Sequence, residues 1–283
     1  MEHPMSITLA TAAPVTAVHT SAVGDFIGEL RSEWTKIRSL RSTIWALVAL
    51  VVVTITFTTL FNWLTVSQWE KAPVEQQQIF LADPTSQILG SGFQFSQLAI
   101  CILGVLIISG EYSSGTIRAT LLAVPRRTPV LVAKSIVFGA LVFVVATVTA
   151  LISFVIGATI LSSRIDVALG DPGVPQAIIG VGLYAAMLGV FAIAIGALLR
   201  HTAGAITAII GFVLVLSPLA LLLPGDWGRY VYSYLPTNAG QRITTTVQGP
   251  TDLLTAWQGF GVFALWTAAL IIVSGYLLKR RDA

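Results

Sequence analysis

The sequence predicts an all-α polytopic membrane protein with six transmembrane helices, an N-terminal amphipathic interfacial helix and a short cytoplasmic helix between spans two and three. Three observations predict it. Of the 283 residues, 55% are hydrophobic and 10% charged, whereas soluble domains carry roughly 25% charge. The apolar residues gather in six runs that match, or nearly match, the roughly 20 residues needed to cross about 30 Å of hydrocarbon. The sixteen basic residues fall unequally on the connections between those runs.

Residues 1–22 are rich in Ala, Thr, Val and Ser, without a basic leader or a continuous apolar stretch. They are expected to form a flexible tail rather than a cleaved signal. Residues 23–283 are expected to form one six-helix membrane domain. It opens at Gly24-Asp25 with Phe26, Ile27, Leu30, Trp34, Ile37 and Leu40 at helical spacing, within about 140° of the wheel. Glu33 falls inside that apolar stripe, against the pattern. Such a helix lies in the membrane interface with Arg31, Lys36, Arg38 and Arg41 toward anionic headgroups. The weak helix formers of Ser39–Ser42 predict an elbow into the first span, the alternative being a plain extension of that span.

The runs are Ile44–Leu64, Gln94–Gly110, Pro129–Leu161, Ala177–Leu199, Thr202–Leu223 and Leu253–Leu278. None shows the alternation of barrel strands. With Lys134 left at the boundary of the third run, they contain no Asp, Glu, Lys, Arg or His. Intramembrane ionisable groups mark proton relays and ion paths, so this pattern argues against a proton-coupled carrier, a pump or an aspartyl protease. The outer segment Pro224–Thr251 is too long for a turn and too polar to span. Residues 65–93 form the largest outer loop.

Arg31, Lys36, Arg38, Arg41, Arg118, Arg126, Arg127, Lys134, Arg200, Lys279, Arg280 and Arg281 fall on one side, and Lys71, Arg164, Arg229 and Arg242 on the other. The excess marks the cytoplasmic face and places both termini there. The net charge of +3 therefore reads as a topology signal and not as a nucleic-acid surface. Cys101, the single cysteine, reads as a small packing residue. Trp45, Trp63, Trp69, Trp227 and Trp257 lie near span ends, where indoles favour the interface. His201 reads as an interfacial residue in a short turn.

No lysine follows a glycine, so a phosphate-binding loop of the G-x-x-x-x-G-K-[ST] type is lacking. If the chain transports actively, another chain hydrolyses the nucleotide. Between spans two and three, Thr116 is placed to cap a short helix over Ile117–Ala123, ended by Pro125. Ile117, Thr120, Leu121 and Ala123 give that helix a small apolar surface, which at a membrane face reads as a docking knob for a partner.

The order Glu111, Gly115-Thr116, Leu121-Leu122-Ala123, Pro125, Arg127 and Lys134 resembles the first cytoplasmic loop of type-2 ABC exporter permeases. Six spans, the elbow Glu33-Trp34-Thr35-Lys36-Ile37-Arg38 and the turn Arg200-His201 are similar to that family too, so the resemblance covers residues 24–281. It implies a membrane subunit that is not itself an enzyme, in a bacterial plasma membrane. It implies cytoplasmic ATPase partners that bind ATP and Mg, and a second permease chain, identical or similar. The chain itself would bind no cofactor, metal or nucleic acid, and would contact membrane lipids. Glu111, Gly115, Thr116, Ile117, Arg118, Thr120, Leu121, Leu122, Ala123, Pro125 and Arg127 would couple to the ATPase, with Glu111 pairing Arg118 or a basic residue of the elbow.

The resemblance also implies short re-entrant or surface helices in 224–251. Ala185, Gly189, Ala192 and Gly196 would let helices approach closely, either within the chain or toward a second copy. Thr54, Thr58, Asn62, Phe93, Phe95 and Gln97 would line a path for a hydrophobic or amphipathic substrate, the threonines otherwise bonding to their own helix. A competing expectation is a non-transporting scaffold or immunity factor that docks a cytoplasmic partner through the same loop.

Overall fold

A computed structural model describes residues 22–39, 41–113, 127–249 and 252–280. Among these residues the secondary structure is helical throughout, and six helices are long and apolar enough to cross a membrane. In chain order the described α-helices are α1 (Ala22–Ser39), α2 (Arg41–Ser67), α3 (Val74–Ala82), α4 (Pro84–Ser113), α5 (Arg127–Leu161), α6 (Val174–Leu199), α7 (Thr202–Leu214), α8 (Leu216–Leu221), α9 (Asp226–Tyr234), α10 (Pro236–Gln241) and α11 (Ala256–Arg280), with 3-10 turns at Trp69–Lys71 and Arg242–Thr244. The fifth span is α7 plus α8. They part at Val215 because Pro218 has no N–H for the carbonyl of Leu214.

The spans are sorted by how their polar and small residues are distributed. α6 is apolar on every side and 72% of its apolar stretch is buried, against 17% for α2. A helix hydrophobic all round belongs in the centre, and α4, α5, α7 and α11 pack around α6, with α2 lying outside on α4 and α5. The small residues of α6 are consumed in this packing. A β-carbon at Gly189 would meet Phe138, and one at Gly196 would meet Ile108, while Ala185 and Ala192 are fully buried. The close-approach stripe therefore serves the chain's own bundle and is not open to a second copy.

One span differs markedly from expectation. The second span begins at Pro84, ten residues before the expected start at Gln94. Thr85, Ser86, Gln87 and Ser91 make that turn-rich stretch look extramembranous, yet Thr85, Ile88 and Leu89 are buried against neighbouring helices. α1 is a separate helix that packs chiefly on α5, so the elbow expectation describes it better than an extension of α2. Its stripe is divided. Ile37 is buried, while Ile27 and Trp34 stay exposed where lipid would meet them.

At the end of the bundle far from α1, the segment following α8 folds back inward. Pro236, Thr237, Ala239 and Gly240 are buried between α6 and α11. Gly240 lies against Tyr184 and Phe263, and Tyr184 is ten residues into α6, a depth of roughly 15 Å. The segment is therefore re-entrant, covered by protein as irregular backbone at membrane depth must be. Gly180 makes the approach possible, because a β-carbon there would stand 2.1 Å from the carbonyl oxygen of Ile243. Tyr184 donates to Oε1 of Gln97 at 3.1 Å, and the Gln241 amide reaches both groups at 3.4 Å. α9, by contrast, exposes Trp227, Tyr230 and Tyr234 as an aromatic belt at that end.

Asp83, just before α4, fastens the re-entrant segment. Its carboxylate accepts from the backbone N–H groups of Ser86 (3.1 Å), Thr246 (3.0 Å) and Val247 (3.2 Å), and from the hydroxyls of Ser86 and Thr246. Burial pushes this carboxyl up, but the bonds from Ser86 and Thr246 outweigh it and hold it below the ordinary value of 3.8. A depressed folded-state value means that the contribution is complete above the unfolded value and is lost as pH falls through the lower one. Asp83→Asn, which turns donors toward donors, is expected to cost about 1–3 kcal/mol at neutral pH. Acid titrations of both proteins check this. The difference between them should stay constant down to the ordinary carboxylate range and shrink only below it.

Candidate functional site

The site grows from two charges that look misplaced. Glu33 interrupts an apolar stripe in α1, and Lys134 sits at the eighth position of α5 among Leu131, Ala133 and Phe138, all buried. Each lone charge requires a partner in a low-dielectric setting, and the fold supplies one to the other. Lys134 Nζ donates to Glu33 Oε2 at 2.5 Å and to Glu111 Oε1 at 2.8 Å. Lys36, one turn after Glu33, donates to Glu33 Oε1 at 2.7 Å and to Glu111 Oε1 at 3.2 Å. Two ammonium groups and two carboxylates thus form a closed, charge-neutral ring. The Lys134 and Glu33 side chains are 2% and 3% exposed, and that of Lys36 is 32% exposed.

Burial of Lys36 works against its charge, but the hydrogen bond it donates to Glu33 and the carboxylate of Glu111 prevail and raise its pKa above the ordinary 10.5. A raised lysine contributes fully below the unfolded value and stops contributing only as pH climbs through the folded one. Lys36 is therefore charged throughout the physiological range. The ring offers no nucleophile with a paired base. What it provides is mechanical. Glu111 stands near the end of α4, Lys134 near the start of α5, and Glu33 and Lys36 on α1, so three elements are joined at one point. The first two flank residues 114–126.

Of the residues expected to couple, Glu111 is in this ring and pairs with Lys36 of the elbow. Gly115, Thr116, Ile117, Arg118, Thr120, Leu121, Leu122, Ala123 and Pro125 lie outside the described residues, and Arg127 opens α5. Of the interfacial set, Trp34, Arg38 and Arg41 are exposed. Lys36 departs from expectation. It turns inward to Glu33 and Glu111 instead of toward headgroups, because a spacing of three residues sets it on the same side as Glu33.

Of the expected path residues, Thr54, Thr58, Asn62, Phe93 and Gln97 are buried within the chain. Thr54 donates to the Leu50 carbonyl at 2.7 Å, the self-bonding alternative, and Asn62 donates to the Thr58 carbonyl at 2.7 Å and to Ser91 at 3.3 Å. A β-carbon on Gly92 would stand 2.2 Å from Thr58 Oγ1 and 2.3 Å from the Thr54 carbonyl. Thr54, Thr58 and Asn62 stitch α2 to α4, and among the described residues Thr54, Thr58 and Gln97 border neither of the larger hollows beside α4, whereas Asn62, Phe93 and Phe95 do. Phe95 is exposed and stacks on Phe57 and Phe61, with centroids 4.3 and 5.7 Å away. His201 is the N-cap of α7, its Nδ1 accepting from the Gly204 N–H at 3.0 Å. Arg200, with φ +54°, lies over the Tyr112 ring at 5.3 Å.

Glu33 and Lys134 do not stand out as site residues within their own segments, where the first reads as a flaw in a stripe and the second as a boundary marker. Opposite misfits in two apolar patterns were the available signal.

The model of the ABC-2 family transporter proteins matches residues 29–218, more than half of the chain and including all four members of the ring. The chain belongs to the ABC-2 transporter family. No curated protein matches it. As an ABC-2 family member it is a multi-pass membrane protein and the permease component of an ABC transporter, and the family associates with an ABC ATPase. The match ends at Pro218, so the re-entrant segment and α11 lie beyond it.

Proposed function

We propose that this chain is the membrane subunit of an ATP-driven exporter, with residues 115–125 docking a separate cytoplasmic ATPase. The observation that carries the reading is the buried ring, which ties both stems of that segment to α1. A push delivered between Glu111 and Lys134 cannot be absorbed locally, because separating either residue from its partners leaves a charge uncompensated in an apolar setting. Force is instead passed to α4, α5 and the interfacial helix together. The basic residues beside α1, α5 and α11 favour a topology with both termini cytoplasmic, and the family resemblance favours a bacterial plasma membrane and two permease chains with two ATPases. ATP and Mg would be held by the partner. The residues of this chain supply position and movement.

The test is reconstitution with the ATPase partner in lipid vesicles. Leu121→Asp, or deletion of Thr116–Ala123, is expected to abolish co-purification and permease-dependent ATP hydrolysis. Unchanged assembly and hydrolysis would refute coupling through this segment. Assembly lost without any transport activity in the native complex would favour a scaffold that docks a partner by the same loop.

A further inference from the structure

The outer half of α4 borders two hollows. One, of about 880 Å3, lies toward α2 and α3, and the other, of about 250 Å3, lies toward the re-entrant segment. Ser86, Gly90 and Gln94 line both. They recur every four residues and so form one stripe of α4, along which the two hollows meet. We propose that this cleft binds the transported molecule and selects an uncharged one, with an aromatic or aliphatic body and amide-like or hydroxyl groups. The proposal rests on the exporter reading for calling that molecule cargo.

Three observations point to this chemistry. The first is charge. Among the described residues lining either hollow, the charged ones are Lys71 and the pair Arg242–Asp252, whose charges are committed to each other. Lys71 is exposed, so neither hollow offers a free counter-charge withdrawn from water, and an ionic ligand would give up hydration for little in return. The second is hydrogen-bonding capacity. The side-chain amides of Gln68, Gln76, Gln87 and Gln94 face the cleft and make no hydrogen bond among the described residues. Each offers a donor and an acceptor to a neutral polar group. The third is the apolar wall. Phe61 and Phe95 line the larger hollow and are stacked 5.7 Å apart within 6° of parallel, presenting ring surface to a ligand. A few polar groups on an apolar and aromatic wall is the usual make-up of a small-molecule site.

Gly90 keeps the cleft open. A β-carbon there meets nothing within 4 Å, so packing does not demand glycine, and mid-helix glycine is otherwise unfavourable. A larger side chain would project into the hollow without disturbing a neighbour.

The experiment is equilibrium binding to the full chain in nanodiscs of zwitterionic lipid, without ATP or ATPase. The probes are dansylamide, which is neutral, and its anionic and cationic relatives dansylglycine and dansylcadaverine, read by fluorescence. Dansylamide should bind saturably with blue-shifted emission, and the two charged probes about tenfold or more weaker. Gly90→Trp should weaken dansylamide by about tenfold or more and Gly90→Leu by less, in the order of volume filled. Gln94→Leu should weaken it without filling space. Gly211→Trp, at another glycine with nothing within 4 Å of its β-carbon, should bind as the parent does. Melting temperatures identify any variant that fails to fold, and Gly90→Leu and Gln94→Leu then decide. No saturable binding, equal binding of the charged probes, or binding indifferent to both Gly90→Leu and Gln94→Leu would overturn the proposal. Because no nucleotide is involved, that failure would leave the exporter reading intact, and a failure of coupling to the ATPase would leave the binding result intact.

Discussion

Lys134→Met is expected to destabilise the chain by about 3 kcal/mol or more, the usual cost of leaving a buried charge without its partner. The variant keeps the volume and the apolar stem, so the loss is electrostatic. Glu33 and Glu111 would keep the ammonium of Lys36, at 2.7 and 3.2 Å, but lose the buried one. Denaturant titration in mixed micelles, followed by tryptophan fluorescence, measures it. A double-mutant cycle sharpens the test. Glu33→Gln combined with Lys134→Met should cost well below the sum of the two single changes, since groups in one network are not additive. Additive losses would mean that the ring is a coincidence of proximity. The same variant should show reduced permease-dependent ATP hydrolysis when the complex still assembles, as the stem of the docking segment is no longer tied to α1.

Gly180→Ala should be the most damaging single methyl at the far end. Its β-carbon would fall 2.1 Å from the Ile243 oxygen and 2.8 Å from the carbonyl carbon. Both are backbone atoms that cannot swing aside, so the re-entrant segment must shift outward. Overpacking of this kind costs about 1–3 kcal/mol. The displacement would also strain the contacts of Gln241 with Gln97 and Tyr184. Hydrogen exchange is the direct readout, and amides of residues 236–247 should lose protection ahead of the spans. Gly211→Ala is the control, where open space and better helix propensity predict a neutral to slightly stabilising result. Equal exchange in the two variants would contradict the re-entrant packing.

The contrast between these two sites shows how legibility varied along the chain. The bundle was readable because a span needs only length and apolarity, which are local properties. The third span matched its expected bounds, Pro129–Leu161. The second did not, because Thr85, Ser86, Gln87 and Ser91 are polar for reasons that lie in other elements. Glu111 stands in the loop pattern, but of its partners in the ring only Lys36, an elbow residue, falls within the pairing expected for it, and Lys134 does not. Lys36 reads as a headgroup contact because the wheel shows which side of α1 it occupies and not what that side meets. The threonines of α2 looked like a hydroxylated path because sequence reports polarity without direction, and Gly92, which draws α4 against them, is 34 residues beyond Thr58.

What the sequence determined by itself is the solvent. A chain with 10% charged residues and six long apolar runs can satisfy its backbone in a bilayer only as helices, and its basic residues give those helices a direction. What the tertiary structure alone decided is which misfits meet. Glu33 and Lys134 are 101 residues apart, and Gly180 meets a carbonyl 63 residues away. Pairings of that kind depend on helix rotation and neighbour order, which packing of whole faces sets and no local pattern encodes.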